Sequence, residues 1–235
     1  MTQEAHVSGH ISKRFDQELE DIRNRVLSMG GVVETQVNNG IRALVEGDSK
    51  IAEQVVGNDH KVNRKEVEID EHCVHILARR QPAAGDLRLV VAIIKTITDL
   101  ERIGDQAEKL GRNQLELVQV GVKASNFVQL EHLGEQVSKM LHSALDAFAR
   151  MSVEDAQKTI EMDEKVNAEF EALSRELITH MMEDPRTISS AMRVSWSARA
   201  LERIGDHAKN ICEYVIFLVL GKDVRHIDDL GKTRL

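Results

Sequence analysis

Two acidic pairs with the same spacing are the side chains of this sequence best suited to chemistry. Glu101 and Asp105 lie in the segment LERIGD, and the same six letters recur with Glu202 and Asp206. A spacing of four residues places both carboxylates of a pair on one helix face, where like charges destabilise the helix by about 0.2–0.5 kcal/mol. A bound cation removes this repulsion, and carboxylates suit Fe, Mn, Mg, Ca and, less exclusively, Zn. The sequence therefore predicts a metal ion at each pair.

Further acids occupy positions where a helix needs apolar residues. Asp59 interrupts an apolar seam at positions 52–76, and Asp163 interrupts the equivalent seam at positions 156–177. Glu66 is a second acid in the first of these seams. A carboxylate in an apolar seam is costly unless a cation satisfies it. Asp59 and Asp163 are therefore predicted to be ligands of the same two metal sites.

Helices are predicted to position all of these acids. Apolar residues recur at intervals of three and four, as one face of a helix requires. The chain has only 2 Pro and 3% aromatic residues, which is unlike a β protein. The six predicted helices cover residues 11–46, 48–79, 86–120, 125–151, 152 to the Asp184-Pro185 turn, and from that turn to residue 220. We predict Asp86 and Ser152 as N-caps and Gly221 as a C-cap.

The second half of the sequence repeats the first. Besides LERIGD, the segment Asp59-x-Lys-Val-Asn63 matches Asp163-x-Lys-Val-Asn167, in the same order along the chain. Two ordered matches at nearly the same spacing indicate a duplication. Short turns make successive helices antiparallel neighbours. We therefore predict an all-α fold of two tandem up-down-up three-helix bundles, at residues 1–121 and 122–221, followed by a flexible tail at 222–235.

The turn between the second and third helices determines which residues face each other. All helices rise equally per residue, so positions equidistant from the centre of a turn are level. With Pro82 as the centre, Asp59 is level with Asp105, and Asn63 with Glu101. The second turn pairs the repeated residues in the same way. Each bundle is thus predicted to hold four oxygen-bearing side chains at one height.

Composition excludes several classes of protein. The net charge is −8, with no basic field of the kind that binds nucleic acid. No apolar run approaches the ~18 residues that span a bilayer, and the N-terminus lacks the apolar core of a signal peptide. Cys73 and Cys212 stand alone in the sequence. We expect them to be reduced, buried thiols of a cytoplasmic protein.

The sequence leaves two other interpretations of these acids open, one structural and one enzymatic. In the first, the acids form a structural polar network in which Arg102 and Arg203 neutralise their neighbours. Pairing of Asp105 with Lys109 does not explain the repeat, because Asn210 stands at the equivalent place. In the second, the acids serve a metal-dependent carboxylate-site enzyme. The Glu-x-x-His motif of di-iron enzymes, the P-loop and the nucleophile elbow are absent from the sequence.

Several motifs give the sequence a resemblance to the PhoU family, the accessory and regulatory proteins of bacterial phosphate-specific transport. The resemblance covers nearly the whole chain and includes Met29-Gly-Gly31, Arg80-Gln-Pro82, Asp86-Leu-Arg88 and both LERIGD segments. It implies a pair of three-helix bundles. It also implies that the E-x-x-x-D signature of the family binds metal, at Glu101 with Asp105 and at Glu202 with Asp206. Glu108 in the first repeat corresponds to Lys209 in the second, and this difference predicts unequal metal occupancy of the two sites.

The resemblance further implies a function without catalysis. Proteins of this family hold down phosphate uptake and the phosphate-starvation response when phosphate is ample. They contact the ATPase subunit of the phosphate ABC transporter and a membrane sensor histidine kinase. We expect a protein that reaches the membrane only through these partners, and that self-associates as a two-fold homodimer.

Overall fold

The structure is a computed structural model that describes residues 13–121 and 128–222. Every regular element in these ranges is a helix, and a single 3₁₀ turn, Pro185–Thr187, precedes the last one. This confirms the predicted all-α fold. The helices are α1 Lys13–Glu46, α2 Ser49–Arg80, α3 Ala84–Gln119, α4 Val128–Arg150, α5 Val153–Glu183 and α6 Ile188–Leu220.

Polar side chains and glycine define the ends of several helices. The Asp48 side chain accepts hydrogen bonds from the first backbone amides of α2, and Ser152 caps α5 by accepting from the Asp155 amide. Gly221 ends α6 in the left-handed conformation, at φ 68°. Both the Ser152 and the Gly221 predictions are thereby confirmed.

The predicted N-cap at Asp86 is wrong. Helix α3 already begins at Ala84, and Ala83 precedes it in an extended conformation without a side-chain cap. The chain reverses at Gln81, which is left-handed, and Pro82 fixes its own φ, so the helix starts directly after the extended Ala83 and before the acid. The backbone amide of Asp86 donates to the Ala83 carbonyl inside the first turn. An acid in this turn still interacts favourably with the helix dipole.

Each half of the chain buries the predicted apolar stripes in its own bundle. The α1 stripe is buried except for Ile41, which is half-buried, and the predicted inward residues of α4 are all buried. In α5 the seam is buried except for Phe170. Cys73 and Cys212 are buried free thiols, and burial raises the pKa of each to about 12. These thiols pack as core residues, as predicted.

The two bundles meet through α3 and α6, which run antiparallel along the centre of the molecule. The Nδ1 atom of His207 lies 2.6 Å from Asp99 Oδ1, and the side-chain amide of Asn210 donates to the same oxygen. Further along the pair, Arg193 forms an ion pair with Glu116. The residue numbers of these contacts rise along α3 and fall along α6, as in an antiparallel pair. With Asp99 level with His207, the two LERIGD segments lie side by side at the same height.

Helices α1 and α4 form a second contact between the bundles. Leu145 packs over Gly30 and Ile41 packs over Gly134, so the two glycines take part in equivalent contacts. An added Cβ at Gly30 or Gly134 would lie 2.6 or 2.8 Å from the opposing side chain. Glycine at both places therefore allows the close approach of the bundles, and the paired contacts give the molecule a pseudo-two-fold relation.

Some predicted boundaries of helices and of the tail fall outside the described residues. These are the starts of the first and fourth helices at residues 11 and 125, and the flexible tail except Lys222. The boundary between residues 121 and 122 stays a prediction, because residues 122–127 are not described. Within the described ranges, no helix is both long and apolar enough to span a bilayer.

Candidate metal centres

Close contact between two helices positions each acidic cluster. In the first bundle Val62 of α2 packs against Gly104 of α3, and a Cβ on Gly104 would lie 3.2 Å from the valine methyl carbon. In the second bundle Val166 of α5 packs against Gly205 of α6 at 3.3 Å. A mid-helix glycine costs about 1 kcal/mol relative to alanine. Here the glycines bring each LERIGD helix close to its neighbour.

The register between these helices differs from the predicted one by two residues. The prediction places Val62 opposite Arg102, whereas the structure places it against Gly104. The prediction assumes a symmetric turn around Pro82. In the structure Gln81 is left-handed, with φ 47° and ψ 58°, and Ala83 is extended, so the two helix ends are not level. Two residues correspond to about 3 Å along a helix.

The observed register places Asp59 near both Asp105 and Glu108. The Asn63 side-chain amide donates to Asp59 Oδ2 at 3.1 Å. Asp59 Oδ1 and Asn63 Oδ1 are buried and lack hydrogen-bond partners among the described residues. Glu108 forms an ion pair with Arg112 at 2.6 Å. Two buried oxygen acceptors thus face a cluster of carboxylates.

The acids of the first bundle raise one another's pKa values. Burial raises the pKa of Asp59, and the charges of Glu108 and then Asp105 raise it further. Burial also raises the pKa of Glu101, followed by repulsion from Asp105, Glu66 and Asp59. The pKa of Glu66 is raised by burial and then by nearby acids. Negative charge is therefore concentrated between α2 and α3, and the positive charge of Arg102 offsets part of it.

The second bundle repeats the carboxylates but adds cations. The Asn167 amide donates to Asp163 Oδ2 at 3.2 Å, as in the first bundle. The Lys209 ammonium lies 2.8 Å from the same oxygen. Asp163 is only 6% exposed, so this ion pair is largely shielded from water.

The two acids of the second LERIGD segment are also paired. Arg199 donates to Glu202 at 2.8 Å, and Arg203 lies 3.5 Å from Asp206. Burial, followed by the charge of Asp206, raises the pKa of Glu202. Asp163 Oδ1 and Glu202 Oε2 are buried without hydrogen-bond partners in the described part of the chain.

The two clusters differ as sites for a cation. Among residues 13–121 and 128–222, no group of three or more His, Cys, Asp or Glu side chains is already arranged to hold a metal ion. In the first bundle the donor set still fits a hard cation, because buried oxygen acceptors lack partners and carboxylates repel one another. In the second bundle Asp163 Oδ1 and Glu202 Oε2 also lack partners within these ranges, but Lys209 already supplies positive charge to Asp163 and opposes the binding of a further cation.

The sequence prediction missed the roles of two residues in these clusters. Glu108 is the acid whose charge raises the pKa of Asp59 most, after burial, and Lys209 is the cation that forms an ion pair with Asp163. Both lie three residues after the last acid of their LERIGD segment, which puts them on the same helix face. That spacing is a signal of proximity within the helix. The contact with α2 or α5 depends on the observed register.

Comparison with known proteins identifies the fold and its repeat. A family model described as the PhoU domain matches residues 26–113 and again residues 130–215. The crystal structure of PhoU from Pseudomonas aeruginosa superposes with a TM-score of 0.86 at 50% identity, covering 88% of this chain and 100% of that one. A phosphate transport system regulatory protein PhoU from Streptococcus pneumoniae gives a TM-score of 0.83 at 30% identity, covering 89% and 99%.

Curated proteins of similar length match along almost the whole chain. A phosphate-specific transport system accessory protein PhoU homolog from Pseudomonas aeruginosa is 51% identical over 226 residues, covering 96% of this chain and 92% of that protein. The phosphate-specific transport system accessory protein PhoU of Escherichia coli strain K12 is 48% identical over 229 residues, covering 97% and 95%.

Fold and site together define a tandem-repeat helical protein in which each three-helix bundle presents an acidic motif to its own neighbouring helix. Two PhoU domains account for both repeats. The chain belongs to the PhoU family.

Proposed function

We propose that this protein is a non-enzymatic negative regulator of phosphate uptake and of the phosphate-starvation response. The observation that supports this most directly is its similarity, along nearly the full chain, to proteins named as accessory proteins of phosphate-specific transport. The two matched domains cover both halves of the chain, so the regulatory architecture of the relatives is present here as a unit. No observation favours the alternative of a carboxylate-site enzyme.

In this proposal the protein acts in the cytoplasm as an adaptor. It contacts the ATPase subunit of a phosphate ABC transporter and a phosphate sensor histidine kinase, and it works as a homodimer. Exposed apolar residues support a role in protein contacts: Ile188, Met192 and Trp196 lie on one stripe of α6 and are 45%, 36% and 45% exposed. A helix with an apolar stripe can pack against a helical partner. The Arg193 guanidinium lies 4.5 Å from the centre of the Trp196 ring and adds a polar margin to this stripe.

The first bundle is the better candidate for metal binding. Asp59, Glu101 and Asp105 would hold a divalent or trivalent ion such as Fe, Mn, Zn or Mg between α2 and α3. The ion would neutralise carboxylates that otherwise repel one another, and it would link the two helices. Asp163, Glu202 and Asp206 are the equivalent predicted ligands in the second bundle. Metal binding there has to overcome the ion pair between Lys209 and Asp163.

A deletion strain tests the regulatory proposal. We expect a strain without this protein to express phosphate-starvation genes in phosphate-rich medium, and we expect this sequence to restore repression. Transcript levels of a starvation gene in rich medium provide the measurement. Silent starvation genes in the deletion strain would contradict the regulatory proposal.

A four-acid variant separates metal binding from regulation. Replacing Glu101, Asp105, Glu202 and Asp206 by alanine should leave a folded protein that represses less well. Circular dichroism and protein abundance establish folding, and the same transcripts establish repression. Full repression by the variant would show that metal at these positions is dispensable for signalling.

A further inference from the structure

The acidic clusters of the two bundles differ in residue type at two positions outside the LERIGD motif. The first bundle has five acids at its cluster, and the repeat replaces two of them, with Phe170 in place of Glu66 and Lys209 in place of Glu108. The remaining acids are conserved between the two copies. The five positions of the first bundle are Asp59, Glu66, Glu101, Asp105 and Glu108, and those of the second are Asp163, Phe170, Glu202, Asp206 and Lys209.

The replacements change the balance of charge. In the first cluster five carboxylates face two arginines, Arg102 and Arg112, and Arg112 is bound to Glu108 at the edge. In the second cluster three acids each have a cation within 4.0 Å: Lys209 at Asp163, Arg199 at Glu202 and Arg203 at Asp206. Glu213, which takes the place of Arg112 in the repeat, adds a fourth acid near Lys209. The first cluster therefore carries the larger excess of negative charge, whereas in the second cluster Asp163, Glu202 and Asp206 each have a cation of their own.

The position of Lys209 makes its ammonium central to the second cluster. It lies 2.8 Å from Asp163 Oδ2, the oxygen that also accepts from Asn167. The side chain of Lys209 is 36% exposed and that of Asp163 is 9% exposed, so the acid is the more deeply buried partner. A buried carboxylate requires a positive partner with good geometry, and Lys209 provides it from within the chain.

We infer that the Lys209 ammonium is the resident cation of the second bundle, so that this bundle is stable without metal and does not recruit one, whereas the first bundle recruits an external cation. A divalent ion at Asp163 has to displace an ammonium that is covalently attached to the neighbouring helix. In the described ranges no cation forms an ion pair with Asp59, and the residue equivalent to Lys209 is an acid, Glu108. The part of the inference that concerns the first bundle rests on the proposed function; the part that concerns Lys209 does not.

Counting of Mn²⁺ sites tests the inference on the full-length chain. The protein is prepared without an affinity tag and free of metal, and bound Mn²⁺ is counted by electron paramagnetic resonance titration. We expect one site in the unaltered protein and two in the Lys209→Glu variant, which restores the acid found in the first bundle. Lys158→Gln is the matched control: Lys158 is an exposed lysine of the same bundle that forms an ion pair with the exposed Glu154, and its variant should retain one site.

Thermal unfolding in a chelator tests the resident cation without metal. Lys209→Gln should lower Tm by about 3–6 °C, because it leaves the buried Asp163 without a cation. Lys158→Gln should change Tm by less than about 1 °C. The comparison of Lys209→Gln with Lys158→Gln tests the role of Lys209 even if the Lys209→Glu variant fails to fold.

Each outcome bears on a different part of the inference. Two sites in the unaltered protein, an unchanged count in Lys209→Glu, or an unchanged Tm in Lys209→Gln would each overturn the role of Lys209. No site in the unaltered protein together with one in Lys209→Glu would support Lys209 as the resident cation and refute the proposed metal site of the first bundle. No site in either protein would overturn both.

Discussion

Asp59 in the first bundle and Asp163 in the second occupy equivalent positions, and each accepts a hydrogen bond from the asparagine four residues later. Beyond this shared contact their surroundings have opposite charge. The neighbours that act on Asp59 most strongly after burial are Glu108 and Asp105, whereas Asp163 is bound by Lys209. A duplicated motif has therefore kept its local geometry while its electrostatic environment has diverged.

The comparison shows that the LERIGD motif alone does not define a metal site. Its glycine controls how closely the neighbouring helix approaches, and this feature is the same in both bundles. The charge at the site is decided one turn further along the helix, where one copy has Glu108 and the other Lys209. The replacement of an acid by a lysine at that place changes the local charge by two units and gives Asp163 an ion pair.

The largest expected effect comes from giving the first bundle the cation of the second. Glu108→Lys should place an ammonium near Asp59 and weaken Mn²⁺ binding at the first bundle by at least about 100-fold, or roughly 2.7 kcal/mol. Competition titration against a fluorescent chelator measures this loss. Glu108→Gln is the matched control, because it removes the acid without adding a cation, and its effect should be smaller. Equal effects of the two variants would contradict competition by the ammonium.

The equivalent aspartates should respond to the same substitution with opposite signs. In metal-free protein, Asp163→Asn leaves Lys209 without its carboxylate and should cost about 1–2 kcal/mol, a value reduced for the partial exposure of the lysine. Asp59→Asn removes repulsion while Asn63 still has an acceptor, so it should be neutral or stabilising by up to about 0.5 kcal/mol. Urea unfolding in a chelator gives both values. Destabilisation of similar size in both variants would remove the proposed difference between the bundles.

The stability of the metal-free bundles should depend differently on pH. Asp59, Glu66 and Glu101 have pKa values raised above their ordinary 3.8, 4.5 and 4.5. The folded first bundle binds more protons than the unfolded chain between the ordinary and raised values, so its stability falls as pH rises through this window.

The second bundle has one such acid, Glu202, and a lysine whose pKa is raised by its bond to Asp163. The Lys209 contribution is fully present below 10.5 and is lost as pH rises through the raised pKa. Hydrogen exchange of α2–α3 and α5–α6 in a chelator, with separate correction for the intrinsic exchange rate, measures the two slopes. A steeper loss of protection in α5–α6 between pH 4 and 7 would contradict the predicted order.

The smallest expected effect concerns the acids of the motif itself. Asp105→Asn should be neutral or stabilise the metal-free protein by up to about 0.5 kcal/mol, because it relieves repulsion with Glu101. Asp206→Asn provides the comparison in the second bundle, where it loses a partly exposed contact with Arg203 and should change stability by less than about 0.5 kcal/mol. A loss above about 2 kcal/mol for Asp105→Asn would instead indicate a buried hydrogen-bonded network.

Contacts within one helix were predictable from sequence, whereas contacts between helices were predictable only in part. The hydrogen bond from Asn63 to Asp59 links residues four apart, and helical periodicity is sufficient to place them together. The pairing of α2 with α3 was predicted from the distance to Pro82, and it was two residues out. The error arose from the turn, in which Gln81 and Ala83 adopt different backbone conformations. The periodicity of apolar residues does not predict these two different backbone conformations in the turn.

The buried contact between the bundles shows the same limit. His207, Asp99 and Asn210 form a polar cluster across α3 and α6, and none of them was singled out as a partner of the others. Their spacing along the chain exceeds 100 residues, and the repeat has no equivalent cluster, because Ala200 stands in the place of Asp99. A duplication predicts what the two halves share. It does not predict a contact between the halves that has no counterpart in the repeat.

The sequence by itself determined the helices, the duplication, the buried thiols and the face on which each pair of acids lies. These features depend on the fixed geometry of the α-helix and on the pattern of apolar residues, both of which are local. Only the tertiary structure decided that Asp59 lies near Glu108 and that Asp163 is bound by Lys209. Electrostatic energy between charges changes strongly over a few ångströms, and a displacement of about 3 Å between packed helices determines which charges meet.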